Sequence, residues 1–334
     1  MNGKGSILIT SLWIMAILSL MAMGIGFRAS LETRLNKYSM DRLRAGYFAS
    51  AGVEKAKALL RGDTNEYDTL YECGTSLRAG ETPEQIFNAE FDKWGGFSVY
   101  YTYQRTDGSG EAVRYGMTDE ERKININMDI GTADGKNEFA RMLKGLSPKV
   151  TDEIISNIID WRDADSLGSA EEAYYGNLEY PYGCKNADFE FIEELLLVKG
   201  VTGALFDEIK DYITVFGSGK INVNTASEKV LNAVISAGFG AYETIAGVIV
   251  EARKGPDGKE GPGDGWADMQ NCVDSLPLTN MDVNRLNELN SKGRFTFKSE
   301  NFRIISHGSV RRVKKTITCV VKKEGGELLY YHRE

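Results

Sequence analysis

The strongest constraint on the fold of this chain is an apolar run near its N-terminus that continues into a helical pattern. Residues 6–27 carry no charge. As a helix rising ~1.5 Å per residue they would be about 33 Å long, enough to cross the hydrocarbon core of a bilayer. A cleavable signal peptide would end with small residues and a break in the pattern. A plain signal anchor is the competing interpretation of residues 1–28.

Beyond Arg28 the apolar residues recur every three or four positions, and no proline interrupts them as far as residue 60. This spacing predicts an amphipathic helix that continues the apolar one. One long helix is therefore predicted, with one half in lipid and the other half on a soluble domain. Its stripe consists of Leu31, Leu35, Tyr38, Leu43, Tyr47, Val53, Ala56 and Leu60.

The net charge of −8 is unevenly distributed. Residues 106–290 contain 17 Lys and Arg against 33 Asp and Glu, a net charge of −16, so the rest of the chain carries +8. Such an acidic section repels phosphate backbones and suits a divalent cation or a basic partner surface. The four cysteines are far apart in the sequence and lack the spacing of a metal site. Their positions are compatible with disulfides and with free thiols.

Strand-like sequence lies on both sides of a long helix-like stretch. Residues rich in β-branched and aromatic side chains predict strands at 97–105, 112–117, 294–298, 302–306, 313–322 and 328–332. A long helix on such an antiparallel sheet is an α+β arrangement. Residues 118–293 are then predicted to be a helical domain inserted into the sheet.

The predicted insert contains an internal repeat. Lys-Ile-Asn-Ile-Asn at 123–127 returns 97 residues later as Lys-Ile-Asn-Val-Asn at 220–224. We expect the aliphatic side chains to enter the core and the Asn side chains to cap the helices that follow. Between the copies, Gly200 separates two amphipathic segments, which is typical of a helix-hairpin-helix because glycine readily takes the positive φ of the turn.

Helix-hairpin-helix motifs often bind DNA through turn amides and nearby Lys and Arg side chains. Here the insert is strongly acidic and Lys199 is the only basic residue at the turn. The pattern therefore favours hairpins that act as packing scaffolds, with DNA binding as the alternative.

The most chemically specific segment is an acidic stretch that spans the end of a predicted helix and the loop after it. Closely spaced carboxylates on a glycine-containing loop offer the oxygen ligands that Ca²⁺ prefers, although the EF-hand spacing is not met. A solvated acidic loop is the competing interpretation. The candidate ligands are Asp160, Asp163, Asp165, Glu171 and Glu172.

No enzymatic activity is predicted. The two histidines, His307 and His332, lie far from any nucleophile motif, and the chain has no Walker loop or dinucleotide fingerprint. A hydrolase built on Asp163 and Asp165 is disfavoured, since adjacent carboxylates on one loop seldom have the separation that such chemistry needs.

The N-terminus resembles that of type IV pilins and of the pseudopilins of type II secretion. In those families prepilin peptidase removes a basic leader that ends in Gly, which places the cut between Gly5 and Ser6. Most pilins carry Glu at the fifth mature position, where it pairs with the amino terminus of a neighbouring subunit. Here that position is Thr10, and such a departure is typical of the minor pseudopilin family called general secretion pathway protein K.

The insert resembles the same family. Its members carry an Asp-Trp-x-Asp-x-Asp stretch, then a Glu-rich Tyr-Tyr segment, then Asn-x-Asn-Thr-Ala. This chain has those motifs in that order at 160–165, 171–175 and 222–226. The resemblance associates calcium with the acidic loop. It also implies a leader at 1–5, a membrane-spanning half-helix at 6–28, a pilin-like domain at 29–117 and 294–334, and an all-α insert of helix-hairpin-helix or SAM-like type at 118–293.

The resemblance implies a structural role in protein secretion. The expected subunit is a single-pass inner-membrane protein with its C-terminal domain in the periplasm, processed and methylated at its new N-terminus. It would initiate or cap the pseudopilus with minor pseudopilins I and J, above the filament of the major pseudopilin, and would not bind nucleic acid. The alternative is a competence or type IV pilus subunit that binds DNA through its hairpins.

Overall fold

The computed structural model describes residues 3–91, 95–104, 110–165, 168, 170, 172–236, 242, 244–256 and 258–334. Its first element is the predicted long helix, α1, Gly3–Arg61, of 59 residues. The helix ends where Gly62 follows, whose amide N–H still donates to Ala58 O and Leu59 O. In the described part of the chain, α1 is the one helix long and apolar enough to cross a membrane.

The second half of α1 packs on a seven-stranded antiparallel sheet. Its strands, numbered in chain order together with those of the insert, are β1 Asn88–Glu90, β2 Gly96–Gln104, β3 Glu111–Tyr115, β4 Thr118–Asp119, β9 Asn301–Val310, β10 Val313–Lys322 and β11 Leu328–Arg333. Their order is β1-β2-β9-β10-β11, with β3 paired to β2 and β4 paired to β9. The long central hairpin is fully in register from Asn301 opposite Lys322 to Val310 opposite Val313. The short helix α2, Pro83–Phe87, precedes β1.

Small residues bring the long helix close to the sheet. Ala45 and Ala49 are fully buried on the helix face that contacts β9. A side chain at Gly308 would collide with the main chain of these two residues. Gly308 is therefore required by the close approach of two backbones, and this contact sets the distance between helix and sheet.

The chain between β4 and β9 forms a second, mostly helical body with its own core. Its helices are α3 Ala133–Leu146, α4 Asp152–Arg162, α5 Glu172–Tyr175, α6 Gly203–Ile209, α7 Glu228–Ile235, α8 Ile245–Ala252, α9 Met269–Ser275 and α10 Asn280–Ser291. Among the residues that the structure describes, the insert also contains the 3₁₀ helices Ile192–Leu197 and Lys210–Tyr212 and the two-residue strands β5 Ile124–Asn125, β6 Ile213–Thr214, β7 Ile221–Asn222 and β8 Phe295–Thr296. The predicted α+β fold with a helical insert is thus confirmed.

Hydroxyl side chains begin most helices of the insert. At α3, α4, α6, α7 and α10 a Ser or Thr accepts a hydrogen bond from a main-chain N–H of the first turn. These bonds satisfy donors that would otherwise lack a partner inside a helix.

Two strands lie across the predicted boundaries: β4 belongs to the sheet, and β8 pairs inside the insert.

The helix–sheet contact yields a stability prediction. Gly308→Ala should lower the free energy of unfolding by ~1–3 kcal/mol, because overpacking forces α1 off the sheet. The measurement is urea denaturation of the full chain in detergent micelles. Gly203→Ala is the matched control, since no atom lies within 4 Å of the added Cβ. Equal denaturation midpoints for the two variants would show that the stability does not depend on the close approach of α1 to Gly308.

Candidate functional site

Each copy of the repeated pentapeptide forms the same small unit, a parallel sheet of two short strands. In the first, β5 pairs in parallel with β6, Ile124 opposite Ile213. In the second, β7 pairs in parallel with β8, Ile221 opposite Phe295. The motif's aliphatic side chains are buried as predicted: Ile124, Ile126, Ile221 and Val223.

The Asn side chains of the two motifs make matching hydrogen bonds. Asn127 accepts from the N–H of Phe189 (2.9 Å) and donates to its carbonyl (2.8 Å). Asn224 does the same with Trp266, at 3.1 and 2.9 Å. Each unit is thereby tied to a chain segment far along the sequence. The insert is an internal duplication in structure as well as in sequence.

The prediction that these Asn side chains cap the following helices was wrong. Thr132 caps α3 and Ser227 caps α7. The first Asn of each motif accepts instead from the N–H two residues on, as Asn125 does from Asn127 at 2.7 Å. The motif is followed by a turn before the helix begins, so its side chains are too early in the chain to reach the first helical amides.

Arginines at matching helix ends strengthen the likeness of the two units. Arg162 ends α4 and donates to Met128 O, while Arg253 follows α8 and donates to Val223 O and Ala226 O. Both guanidinium groups are almost fully buried and hold the turn after a pentapeptide. Arg162 also pairs with Asp188 at 3.0 Å.

The hairpin turn lies where the sequence predicts it, with Gly200 at a φ of +87°. The turn packs against α4: a Cβ at Gly200 would meet Ile154 at 3.1 Å, and Asn157 donates to the Lys199 carbonyl. The Lys199 N–H donates to the Tyr175 hydroxyl. This face of the turn is therefore used in packing inside the insert.

The acidic loop follows α4, and two of the candidate carboxylates accept hydrogen bonds from main-chain N–H groups of the loop. Asp160 accepts from the N–H of Ala170 at 3.2 Å, and a side chain at Gly168 would collide with the Asp160 carboxyl group. Glu172 accepts from the N–H of Cys184 at 3.0 Å. Both carboxylates therefore fold the loop back on the end of α4.

Asp163 is the carboxylate best placed to receive a ligand. Its Oδ1 is buried without a hydrogen-bond partner, and burial, then the charges of Asp165 and Asp160, raise its pKa. The three lie along an open cleft of about 340 Å³ that Lys136 also lines. Glu171 lies outside the described residues. Among the described ones, no three His, Cys, Asp or Glu side chains converge closely enough to hold a metal ion.

A cluster of buried carboxylates joins the insert to the sheet. Asp119 accepts from the hydroxyl groups of Thr225 and Ser299, each at 2.7 Å. Asp68 accepts from the N–H of Ser299 at 2.8 Å and from that of Gly74 at 3.0 Å. The donors come from the loop after α1, from the segment before β9 and from the insert, so these bonds connect the two bodies.

Glu120 and Glu121 complete this junction between the insert and the sheet. Glu120 accepts from Thr214 and from Arg303, and Glu121 accepts from the side chain of Asn301 at 2.7 Å. Burial alone would raise the pKa of Glu120, but nearby Lys123 and Arg303 outweigh burial and lower it to about 2. Burial raises the pKa of Glu121 to about 8, although the hydrogen bonds from Asn301 lower this pKa. Burial likewise raises the pKa of Asp68 to about 6.

Sequence reasoning did not single out this junction. A signal was present, since the charged run 119–123 lies directly before the apolar part of the first repeat. Charge runs are usually solvated, and only the folded chain shows that residues 119–121 are buried. Their partners come from positions about 100 to 180 residues further along the chain.

The processing and tip-position residues lie in the first turns of α1. Gly5 and Ser6 are within the helix, which runs through them without a break. The Thr10 hydroxyl donates to the carbonyl of Ile7 at 3.0 Å, as is usual for Thr inside an apolar helix. The predicted cleavage and the meaning of Thr10 stay predictions.

The predicted apolar stripe of α1 is divided between two helix faces. Val53, Ala56 and Leu60 are buried in the core beneath the sheet, and Leu31, Leu35 and Tyr38 extend the same face beyond the sheet and are exposed. On the opposite face Met40, Leu43 and Tyr47 are exposed, Tyr47 by 74%. The free apolar surface of the soluble half is therefore shorter than the stripe and lies on two sides.

Comparisons with known proteins agree with this architecture. Residues 123–218 match the family described as Type II secretion system (T2SS), protein K. Type II secretion system protein K of Pseudomonas aeruginosa is 26% identical over 269 residues, which is 77% of this chain and 73% of the relative. The protein of that name from Klebsiella pneumoniae is 24% identical over 266 residues, 75% of this chain and 73% of the relative.

One solved structure has the same fold: a chain in the crystal structure of the GspK-GspI-GspJ complex from the type 2 secretion system of enterotoxigenic Escherichia coli. The TM-score is 0.65 at 15% identity, over 90% of this chain and 99% of that one. A long helix on an antiparallel sheet is the pilin-like arrangement, and the first half of this helix is long and apolar enough to cross a membrane. Within this fold class, residues 123–218 match the type II secretion system protein K family, and the chain is similar to two proteins of that name over about three quarters of its length. Its relatives are named as secretion-system components and not as enzymes.

The buried carboxylates predict how stability depends on pH. Glu121 keeps a proton in the folded chain up to about pH 8 but loses it near pH 4.5 when unfolded. The folded state therefore binds more protons between these values, and its stability falls as pH rises, by at most ~1.4 kcal/mol per pH unit for this group. Glu121→Gln should flatten the decline in unfolding free energy between about pH 6 and about pH 8.5. Urea denaturation across that range is the measurement.

Glu120→Gln is the matched control, because its pKa is shifted in the opposite direction. The stability that Glu120 contributes is present above its unfolded pKa of 4.5 and is lost as pH falls towards about 2. This variant should therefore be destabilised at neutral pH, with the slope above pH 6 unchanged. An unchanged slope in Glu121→Gln would contradict the assignment of the proton to Glu121.

Proposed function

We propose that this chain is the minor pseudopilin at the tip of a type II secretion pseudopilus, where it initiates or caps the filament and supports export across the outer membrane. The position of the insert carries the proposal. The insert joins the sheet at β4 and at the start of β9, where Phe302 packs near Leu60 at the far end of α1. Leu60 is about 50 Å along the helix from Phe27, the last residue of the apolar run. The bulk of the chain is thus at the end remote from the membrane.

A subunit built this way has space for neighbours only below its insert. The exposed apolar residues of α1 between positions 31 and 47 offer a contact surface to the helices of other subunits. Thr10 agrees with this position, since a subunit without the pilin Glu lacks the usual bond to a neighbour's amino terminus. Prepilin peptidase would cut between Gly5 and Ser6 and leave the chain in the inner membrane with its soluble part in the periplasm.

The partners we propose are minor pseudopilins I and J, with the major pseudopilin filament below them. The solved structure with the same fold is of a complex of GspK with GspI and GspJ, which supports these two as neighbours. Apolar area removed from water would drive the association at roughly 25 cal/mol per Å², less the cost of ordering the partners.

DNA binding by the hairpin has less support. The Lys199 amide, one of the turn groups that could contact phosphate, donates to Tyr175, and Gly200 packs on Ile154. Lys199 is also within 3.6 Å of Glu153, which compensates its charge. A gel shift that shows micromolar DNA binding at physiological salt would favour the competence-type alternative over a secretion scaffold.

We also propose that Ca²⁺ binds in the cleft of the acidic loop. The buried, unpartnered oxygen of Asp163 and the raised pKa of this group fit a cation, which would supply the missing partner and relieve the repulsion from Asp160 and Asp165. Glu171 and Glu172 are the further candidates from the sequence. A bound ion would cross-link the loop to the end of α4 and would stabilise the fold without any chemical step.

The free surface of α1 yields an assembly prediction. Leu43→Ser with Tyr47→Ser should lower co-purification of the full chain with minor pseudopilins I and J about tenfold or more, because two exposed apolar side chains at the proposed contact are removed. Thermal stability should be unchanged, since neither is in the core. Met281→Ser is the matched control, an exposed apolar residue of the insert (57%). Equal yields from the two variants would contradict the proposed surface.

The calcium proposal has its own test. Millimolar Ca²⁺ should raise the melting temperature of the full chain in micelles by a few degrees, as any ligand of the folded state does. The rise should disappear in Asp163→Asn with Asp165→Asn. It should persist in Asp207→Asn with Asp211→Asn, which removes two exposed carboxylates elsewhere on the insert. A rise that survives in the first variant, or none in the parent chain, would show that the acidic loop holds no calcium.

A further inference from the structure

Strand β11 is an open edge of the sheet. In the described part of the chain it has a strand on one side only, β10. The long helix packs across β2, β9 and β10 and leaves most of β11 uncovered, although the Arg333 side chain reaches back to Gly46. The edge strand β1 is three residues long, whereas β11 has six. Proteins usually protect such edges with short strands, prolines or charges, and β11 has little of this protection.

The hydrogen bonds to β10 show which main-chain groups of β11 point outwards. The Glu334 N–H donates to Thr316 O, and the register places these two residues opposite each other. Bonded pairs alternate along an antiparallel ladder, so His332 and Tyr330 also face β10. The N–H and C=O groups of Tyr331 and Arg333 therefore point away from the sheet, in position to pair with another strand.

The side chains of β11 are mostly apolar and exposed. Leu328, Leu329 and Tyr331 are 51%, 37% and 50% exposed. Through Tyr330 the strand touches the insert, where the ring of Phe191 lies 5.9 Å away and is itself 44% exposed. On this face the apolar surface continues from Tyr330 onto the 3₁₀ helix Ile192–Leu197, which exposes Leu196 and Leu197, whereas Leu328 and Tyr331 lie on the α1 face of the strand. A binding surface made from both bodies is unusual for a scaffold that packs only internally.

The charges that border this surface are mainly acidic. Glu190, Glu193 and Glu327 are exposed beside Phe191 and Leu328. Arg303 pairs with the buried Glu120 and Lys185 pairs with Glu194, while the guanidinium group of Arg333 lies against Gly46 of α1. An incoming segment would therefore meet an apolar strip with a negative border. Charge complementarity selects a segment that alternates apolar and basic side chains.

We propose that β11 is a docking edge for an extended apolar and basic segment of a partner protein, which adds to the sheet as a further strand. Main-chain bonds to Tyr331 and Arg333 would supply the pairing. Phe191 and Tyr330, on one face of the sheet, would take alternate side chains, and the acidic border would select the sign of the rest. The proposal does not depend on where the subunit lies in a filament, so its failure would leave the tip proposal unaffected.

The test uses the full chain in neutral detergent micelles and two fluorescent peptides of about ten residues, one alternating valine with lysine and one alternating valine with glutamate. Fluorescence anisotropy should show that the lysine peptide binds at least about tenfold more tightly than the glutamate peptide. Glu193→Lys with Glu327→Lys should remove or reverse this preference. Hydrogen exchange should show new protection at Tyr331 and Arg333 only with the lysine peptide.

Tyr331→Pro tests strand addition, because it deletes an outward N–H that the native sheet does not use. It should weaken lysine-peptide binding about tenfold, whereas Tyr331→Thr, which keeps the N–H and suits a strand, should weaken it less. If the proline variant fails to fold, the charge-reversal variants and hydrogen exchange decide. Equal binding of both peptides, no binding at millimolar concentration, or self-association that Tyr331→Pro abolishes would each overturn the proposal.

Discussion

The rest of the structure depends on the close contact between α1 and β9. Gly308 lets the main chain of the helix approach the sheet at Ala45 and Ala49, and this contact fixes which face of the helix is used internally. Below it, the same face continues into open space with Leu31, Leu35 and Tyr38. A single helix can serve both as core element and as assembly surface because the sheet covers only its upper half.

The second organising interaction is the set of buried carboxylates at 119–121 with Asp68. Burying charged groups is costly unless each is hydrogen-bonded, and here each accepts from donors on other segments. These bonds are directional, whereas apolar contacts are not. They therefore fix the angle at which the insert leaves the sheet, which an apolar interface alone would leave less defined. The shifted pKa values of Glu120 and Glu121 make the stability of this junction depend on pH.

Local pattern was enough to predict the long helix, most strands, the repeat and the hairpin turn at Gly200, since each depends on residues near one another in the chain. The errors share a physical cause. The Asn side chains of the repeats bind Phe189 and Trp266, and only the upper part of the stripe, from Val53 to Leu60, packs under the sheet, which periodicity cannot reveal. For the acidic loop, the sequence found the carboxylates but not that Asp160 and Glu172 already bind main-chain amides.

The place of the insert also constrains the order of folding. Strand β2 pairs with β9, yet the whole helical body is made between them. Closing so long a loop as a flexible chain would carry a large entropic penalty before any sheet contact forms. Once the insert is folded, its two ends are neighbours, with Thr118 opposite Arg303. The helical body, once folded, therefore favours pairing of the two halves of the sheet, on which the second half of α1 packs.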